Sequence, residues 1–455
     1  MKRSSRRIIA AWVALPVAVV LAACSAPGAD SGGSKKSTEP TSVSKDVAKA
    51  GKVTLREWDQ EVRGGQNAEM TRLNKEFMKK YPNVTIKRTS KSFSDLKTTL
   101  KLSLSGNHPP DVVEVNQGYP DMVSFVHAGM LMNLDKYAKA YDWKSRYSPA
   151  LLDLNRVNNS ATKFGEGHLY GVSQMGEFIG IYYNQKKLKS LGIKPPKNWS
   201  QFEQSLAKIK KAGQLPIQFG NLDKYPAIHT IGLIQAQNQP TKQIRSLVYG
   251  GGDTKWTSPG FEKSAKTLQQ WTKKGYFPSG PNGIGYDDAA KQFSHGQGAY
   301  LITGTWEAAD IKKPMGNSLR MMLPPAPAGQ QQATTGGESL ALSITQKSKH
   351  PNVAAAYINF LTSKHAAKVM ADTGNLPAVP GATSPKSKYA VDKDMFRDWK
   401  KINSVDGLVP YLDYSSPTFY DTITAALQEL IGGSLSPKQF ADKLQSDVNK
   451  FHSQQ

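Results

Sequence analysis

The chain has 455 residues, enough to bury two lobes' worth of hydrophobic core, and a formal net charge of +23. Its lysines and arginines are dispersed, with no basic run interleaved with aromatics, so the charge does not draw a nucleic-acid footprint. The single cysteine, Cys24, excludes an intramolecular disulfide framework, and stability has to come from packing.

Lys2, Arg3, Arg6 and Arg7 form a basic leader segment. Residues 8–23 are apolar, interrupted by Pro16, and too short to span a membrane comfortably. Leu21-Ala22-Ala23-Cys24 matches a bacterial lipobox, so residues 1–23 read as a cleaved leader and Cys24 as an acylated mature N-terminus. Ser5-Arg6-Arg7 has the look of a twin-arginine signal, which leaves the export route open. Residues 24–50 are rich in Ser, Gly, Lys, Thr, Pro and Ala and read as a flexible tether.

From residue 53 strands and helices alternate. VTLREW (53–58) reads as a strand. Met70, Leu73, Phe77 and Tyr81 recur at helical spacing and are closed by Pro82. Residues 84–87 are a second strand. Leu96, Leu100 and Leu104 line a second helix, stopped by Gly106, and VVEV (112–115) is a third strand. This order predicts a mainly parallel sheet with helices on both faces. Ligands bind beyond the carboxyl ends of such strands, which selects Trp58, Asp59 and Glu61, then Asn116 and Gln117.

Residues 165–184, GEGHLYGVSQMGEFIGIYYN, organise the rest. A glycine-rich turn and a short extended piece lead to Gly176, and FIGIYY then reads as a buried strand. Two extended pieces about a glycine suit a chain leaving one lobe for another. Glu177, between apolar neighbours, is either a solvated edge residue or a ligand group at the lobe junction. Ser200-Gln201-Phe202-Glu203 predicts a capping box for a helix with Phe202, Leu206 and Ile209 on one face. Residues 216–219 are a further strand. A helix ending at Gly296 precedes a strand over 299–303, and Gly304 permits a tight turn before Trp306. That ring is either core or a platform for a pyranose face. Residues 324–336 read as a surface loop. Pro417 opens a helix carrying Ile423, Leu427, Leu430 and Ile431, and Ser436-Pro437-Lys438-Gln439 is a capping box with proline at the first helical position.

Several stretches carry a resemblance. They are YGVS with Glu177 and YYN (170–184), PPDVVEVN (109–116) with AGMLMNL (128–134), and FSHGQGAYLITGTW (293–306). GGESLALSI (336–344), followed by SKHPNVAAAYINFLTSKHAAKVM (348–370), completes them. Together they resemble family 1 of the bacterial extracellular solute-binding proteins of ABC importers, the carbohydrate-binding group. Ser173 stands where that family usually has proline, which implies a small change in hinge stiffness. The resemblance implies a two-lobe α/β fold of the type II periplasmic-binding-protein kind, each lobe a mainly parallel sheet flanked by helices, joined by a multi-crossing hinge. Lobe 1 would span 51–172 plus 343–375 and lobe 2 would span 176–340 plus 376–455, with a last crossing near Leu376-Pro377. It implies a monomer, lipid-anchored on the outer face of the cell membrane. The protein would hold a neutral oligosaccharide and deliver it to ABC permease subunits with a separate ATPase. The implied ligand set is Trp58, Asp59, Glu61, Asn116, Gln117, Glu177, Trp306, Glu338 and Tyr420, the last in preference to its neighbour Phe419.

No HExxH, Cys/His pairing or GxSxG occurs, so no metal, cofactor or catalytic serine is expected. Gly250, Gly251 and Gly252 lack the Lys-Ser/Thr of a phosphate loop, and Gly283 and Gly285 do not complete GxGxxG. The protein is expected not to be an enzyme. Asp59 and Glu61 as a carboxylate pair keep a secreted glycoside hydrolase open as the rival reading, and the basic charge leaves a wall-polymer adhesion protein as a weaker one.

Overall fold

The first three strands form one sheet, as their alternation with helices predicts. The computed structural model describes residues 38–252, 254–379 and 387–454. In it β1 (Val53–Asp59) is parallel to both β2 (Val84–Ser90) and β3 (Val112–Val115). The helices that cover this sheet bury the stripes read from the sequence: Met70, Leu73 and Phe77 on Gly64–Lys80, and Leu96, Leu100 and Leu104 on Phe93–Ser105. Gly106 caps the second of these. A short hairpin of β4 (Arg156–Val157) and β5 (His168–Leu169) precedes the lobe crossing.

The second sheet is built around β6 (Gly176–Asn184), fully buried along FIGIYY. Its other strands are β7 (Ile217–Gln218), β8 (Tyr300–Gly304), β9 (Leu319–Met322) and β10 (Thr334–Glu338). The chain then returns to the first sheet as β11 (Ala341–Ile344), antiparallel to β3, and later adds β12 (Leu408–Val409) to the second. The strand orders are β11-β3-β1-β2 and β12-β10-β6-β8-β7, with β9 also pairing β6. The expectation of two mainly parallel sheets holds only for the first. In the second, β6 runs antiparallel to β8, β9 and β10. For β10 the reason is connectivity. β6 enters the lobe from the hinge and β10 leaves toward it, so Gly176 at the start of one pairs with Glu338 at the end of the other.

Three chain segments cross between the sheets and bond to one another. Ser339 donates its N–H to the Met175 carbonyl (2.9 Å), Gly176 to Leu376 (2.7 Å) and Ala378 to Gln174 (3.0 Å). The departure at Ser173 has a consequence here. Its hydroxyl donates to the Ser339 carbonyl at 2.6 Å, linking the first crossing to the second, which a proline could not do.

Three further expectations are corrected. The loop predicted over 324–336 ends sooner, because Thr334 already begins the buried strand β10. The helix expected to start at Ser200 is Trp199–Lys211, capped by Asn198. Asn198 accepts the Gln201 N–H (2.9 Å), so the cap sits two residues earlier, and Gln201 Oε1 accepts the Lys197 N–H (2.9 Å) rather than closing a box on Asn198. The one at Ser436 and Gln439 forms as read.

The third correction concerns the tether. The leader and Cys24 lie outside the described residues, but residues 38–50 are packed on the first lobe. Val47 is buried, and Asn83 Nδ2 donates to its carbonyl (2.8 Å). Thr38 exchanges two hydrogen bonds with Gln346, and Ser44 donates its N–H to Asn352 (3.0 Å). Lys136 reaches the Pro40 carbonyl and the Glu39 carboxylate. A polar composition does not keep this strap free, because its backbone finds partners on the lobe surface. Among the described residues no helix is long and apolar enough to cross a membrane.

Candidate functional site

Between the two sheets lies a cleft of about 650 Å³, counting the space at its open mouth. The first lobe contributes Gln60, Arg63 and Gln66 after β1, Phe93 at the start of its helix, and Asn116 after β3. The second contributes Glu177 on β6, then Tyr225, Ile228 and His229 around the start of helix Pro226–Asn238, and Trp306 after β8. Tyr411, Asp413 and Tyr414 follow β12, Tyr420 sits on helix Phe419–Gly432, and Leu340 comes from a crossing.

Trp306 is half-buried, and its position depends on Gly304. A Cβ at residue 304 would lie 2.1 Å from the indole ring, so only glycine lets the ring fold back there. The indole Nε1 donates to the Tyr286 hydroxyl (2.6 Å), and the ring meets His229 at 64° with centroids 5.4 Å apart. The ring is thus held by Gly304, Tyr286 and His229 where it lines the cleft.

The polar groups differ in charge state. Tyr411 donates its hydroxyl to Glu177 Oε1 at 2.8 Å, and burial raises the Glu177 carboxyl to about 7. Burial also raises Asp413, to about 6, against the opposing pull of Lys97. His229 is pushed down to about 3 by burial and by Arg63, so it presents a neutral imidazole. Arg63 is already committed. Its Nε donates to Glu307 (2.7 Å) and its Nη2 to Asp287 (2.9 Å).

Of the residues singled out in the sequence, the structure gathers Asn116, Glu177, Trp306 and Tyr420 into the cleft. Gln117 and Glu338 sit just behind it, at the hinge. Gln117 Nε2 donates to the Ser339 carbonyl (2.8 Å), and its Oε1 accepts from the Tyr414 hydroxyl (3.2 Å). Glu338 accepts from Asn155, and burial holds its carboxyl well above the usual range.

Trp58, Asp59 and Glu61 do not line the cleft. Trp58 is half-buried with the Lys91 ammonium 4.9 Å from its ring. Asp59 is fully buried and accepts from Arg88, from the Ser90 hydroxyl (2.5 Å) and from the Glu61 N–H (3.0 Å). The Glu61 carboxyl is buried against that of Glu114, which also accepts the Gln60 N–H at 2.8 Å. Burial raises both, Glu114 to about 8, so this pair holds a proton rather than facing solvent. The strand-end rule found the right level of the molecule, but Asp59, the last residue of β1, and Glu61 just after it point into the lobe interior, toward Arg88 and Glu114. A hydrolase built on Asp59 and Glu61 therefore has no exposed pair to work with.

Sequence reasoning missed Arg63, Phe93, Tyr225, His229, Tyr411, Asp413 and Tyr414. The usable signal was PYLDY (410–414), a dense aromatic and acidic run with no helical or strand period.

The model of the bacterial extracellular solute-binding protein family matches residues 64–368, more than half of the chain. The chain belongs to that family. This solute-binding protein is 25% identical over 346 residues to the multiple sugar-binding protein of Streptococcus mutans, covering 75% of this chain and 78% of that one. It is 24% identical over 402 residues to the melibiose/raffinose/stachyose-binding protein of Bacillus subtilis, covering 82% and 90%. A solved chitin oligosaccharide binding protein superposes with a TM-score of 0.77 at 21% identity, over 88% of this chain and 99% of the other, which shows the two-lobe fold. The family is one of binding proteins and not of enzymes.

Proposed function

We propose that this solute-binding protein captures a neutral sugar between its lobes outside the membrane and hands it to the permease of an ABC importer, whose ATPase is a separate chain. The observation that carries this is the cleft's lining. Aromatic faces from Trp306, Tyr411, Tyr414 and Tyr420 accompany buried carboxyl and amide groups that can hold hydroxyls. Neutral sugar is favoured over acidic sugar because Arg63, which lines the cleft, is occupied by Glu307 and Asp287, and the nearby Lys97 by Asp121. The two relatives, a multiple sugar-binding protein and a melibiose/raffinose/stachyose-binding protein, point the same way.

In this reading Asn116, Glu177, Trp306 and Tyr420 contact the sugar, and the lobes divide as 51–172 plus 343–375 and 176–340 plus 376–455. Cys24 carries the lipid anchor, and the protein acts as a monomer. A thermal-shift screen of neutral oligosaccharides and their uronic-acid counterparts tests it. Stabilisation by neutral sugars without product release is expected. Release of shorter sugars, or a preference for the acids, would overturn it.

A further inference from the structure

The lysines that the sequence disperses are gathered by the fold at one end of the second lobe. β8 runs from Tyr300 to Gly304 and leads to Trp306 in the cleft, so Tyr300 marks the end of that sheet away from the cleft. β6 finishes there, since Tyr183 pairs with Tyr300, and β7 starts there, since Ile217 pairs with Tyr300 too. Three helices reach this pole. Helix Gln185–Ser190 follows β6 and carries Lys186 and Lys189. Helix Trp199–Lys211 leads into β7 with Lys210 and Lys211 in its last turn. Helix Pro259–Lys273 ends at Lys273, and after Lys274 the Tyr276 carbonyl accepts the Ile217 N–H at 2.9 Å. All six of these lysines are exposed. Neighbouring bonds tie the segments together: Lys187 Nζ donates to the Gly296 carbonyl (2.6 Å) ahead of β8, and Lys208 Nζ to the Gly192 carbonyl (3.1 Å).

No carboxylate answers these charges. Residues 185–190, 205–217, 270–277 and 291–300, which turn over the pole, contain no Asp or Glu. Among the described residues none of the six lysines forms an ion pair. Glu203 sits roughly two turns back along its helix from Lys210, and beside β9 the Asp394 carboxylate is already held by Arg320 and Arg397. The first lobe is built the other way: Lys49 pairs with Asp46, Lys136 with Glu39 and Lys144 with Asp135. A lysine in a helix's last turn offsets the helix dipole. That accounts for the lysines one helix at a time, but not for three helices meeting without an acid.

Unanswered like charges repel, and a polyanion laid over them relieves that repulsion. Lysine ammoniums are compact point charges on flexible stems, so they read the charge of a partner and not its shape. This suits a flexible chain of evenly repeated phosphates. It does not suit insertion into a bilayer, because the exposed large apolar side chains among the described residues, Val43, Val62, Leu102 and Leu222, all lie outside the pole segments. Handing a sugar to a permease also turns the cleft toward the membrane, which leaves the pole, at the other end of the lobe, facing the extracellular space. We propose that the lysine pole of the second lobe docks a linear phosphodiester polymer of the extracellular wall, with the cleft left free to take its sugar. The choice of polymer over bilayer rests in part on the hand-off reading above; the charge of the pole does not.

The test measures binding of poly(glycerol phosphate), and in parallel of phosphatidylglycerol/phosphatidylcholine vesicles, by the full mature chain carrying Cys24→Ser, which keeps acyl chains out of the comparison. A pole variant combines Lys189→Gln, Lys210→Gln, Lys211→Gln and Lys273→Gln. A control removes the same charge from the first lobe with Lys75→Gln, Lys79→Gln, Lys101→Gln and Lys139→Gln, and melting of each protein checks that it is folded. The parent is expected to bind the polymer and to lose about tenfold or more in affinity between roughly 50 and 200 mM salt. At low salt the pole variant should lose about tenfold or more and the control about threefold or less. Equal losses in the two would assign the attraction to net charge and overturn the pole. Tighter binding to the vesicles than to the polymer, or no polymer binding at low salt, overturns the proposal as well. Sugar-induced stabilisation of the same three proteins is expected to be equal. Its loss in the pole variant alone would overturn the independence of pole and cleft. Its absence in all three would overturn the sugar reading, while the polymer titrations still decide the pole.

Discussion

Two sets of carboxyls sit at the same level of the molecule, beyond or near the ends of strands, and they are put to opposite uses. Behind the cleft wall of the first lobe, Glu57, Asp59, Glu61, Glu69 and Glu114 are all fully buried around Arg88. Across the hinge Glu177 and Asp413 line the cleft, and among the described residues the hydrogen-bond partner of the Glu177 carboxyl is the Tyr411 hydroxyl. In the first set Asp59 is held by Arg88 and Ser90, Glu69 by Asn375 and Glu114 by the Gln60 N–H, whereas burial, together with neighbouring carboxyls, holds Glu57 and Glu61 well above the usual range. Glu177 stays partly exposed in the cleft. An acid at a strand end is thus assigned by what surrounds its carboxyl, not by its place along the strand.

The comparison breaks most visibly at Arg88. Arg88→Met leaves Asp59 buried without its cation and should cost about 3 to 5 kcal/mol of stability, measured by denaturant unfolding without sugar. A loss near zero would mean the buried acids do not need it. Next is Trp306→Ala, which should weaken sugar binding by about 2 kcal/mol or more while unliganded melting barely moves. Unchanged affinity with a much lower melting temperature would place that ring in the core instead.

Glu177→Gln should cost about 1 to 2 kcal/mol of affinity, since it keeps the shape and one acceptor but loses charge assistance. Because burial raises Glu177 to about 7, and sugar hydroxyls favour its ionised form, wild-type affinity should tighten as pH rises through about 7. The glutamine variant should show a flat profile in the same titration. A matching slope in both would remove Glu177 from the site.

The smallest effect near neutral pH is a gradient in the other set. Glu69 and Glu114 are raised to about 8 by burial, so the folded chain keeps protons that the unfolded chain releases near the ordinary glutamate range. Their contribution is fully present at acid pH and is lost as pH rises through about 8. Glu114→Gln should therefore flatten the fall in melting temperature between the ordinary glutamate range and about pH 8. An unchanged slope would show that the cluster does not titrate there.

Much of the framework was legible because it is local and periodic. Leu96, Leu100 and Leu104 declare a buried helix face without reference to the rest of the chain. So does the run that becomes β6. The site was legible where a local signal marked it, as Gly304 marks Trp306 and the end of β3 marks Asn116. Tyr411 reaches Glu177 across 234 positions, and Arg63 reaches Glu307 across 244, so no window of sequence holds both partners. Glu61 was misassigned for a related reason. Its burial is decided by Glu114, on a neighbouring strand, rather than by its own neighbours in the chain.

The strap over residues 38–50 has a mechanical consequence. Its bonds end on Asn83, Asn133, Lys136, Gln346 and Asn352, all on the first lobe. Any pull arriving through residue 38 therefore enters the first lobe alone, so the tension is not applied across the three crossings that join it to the second.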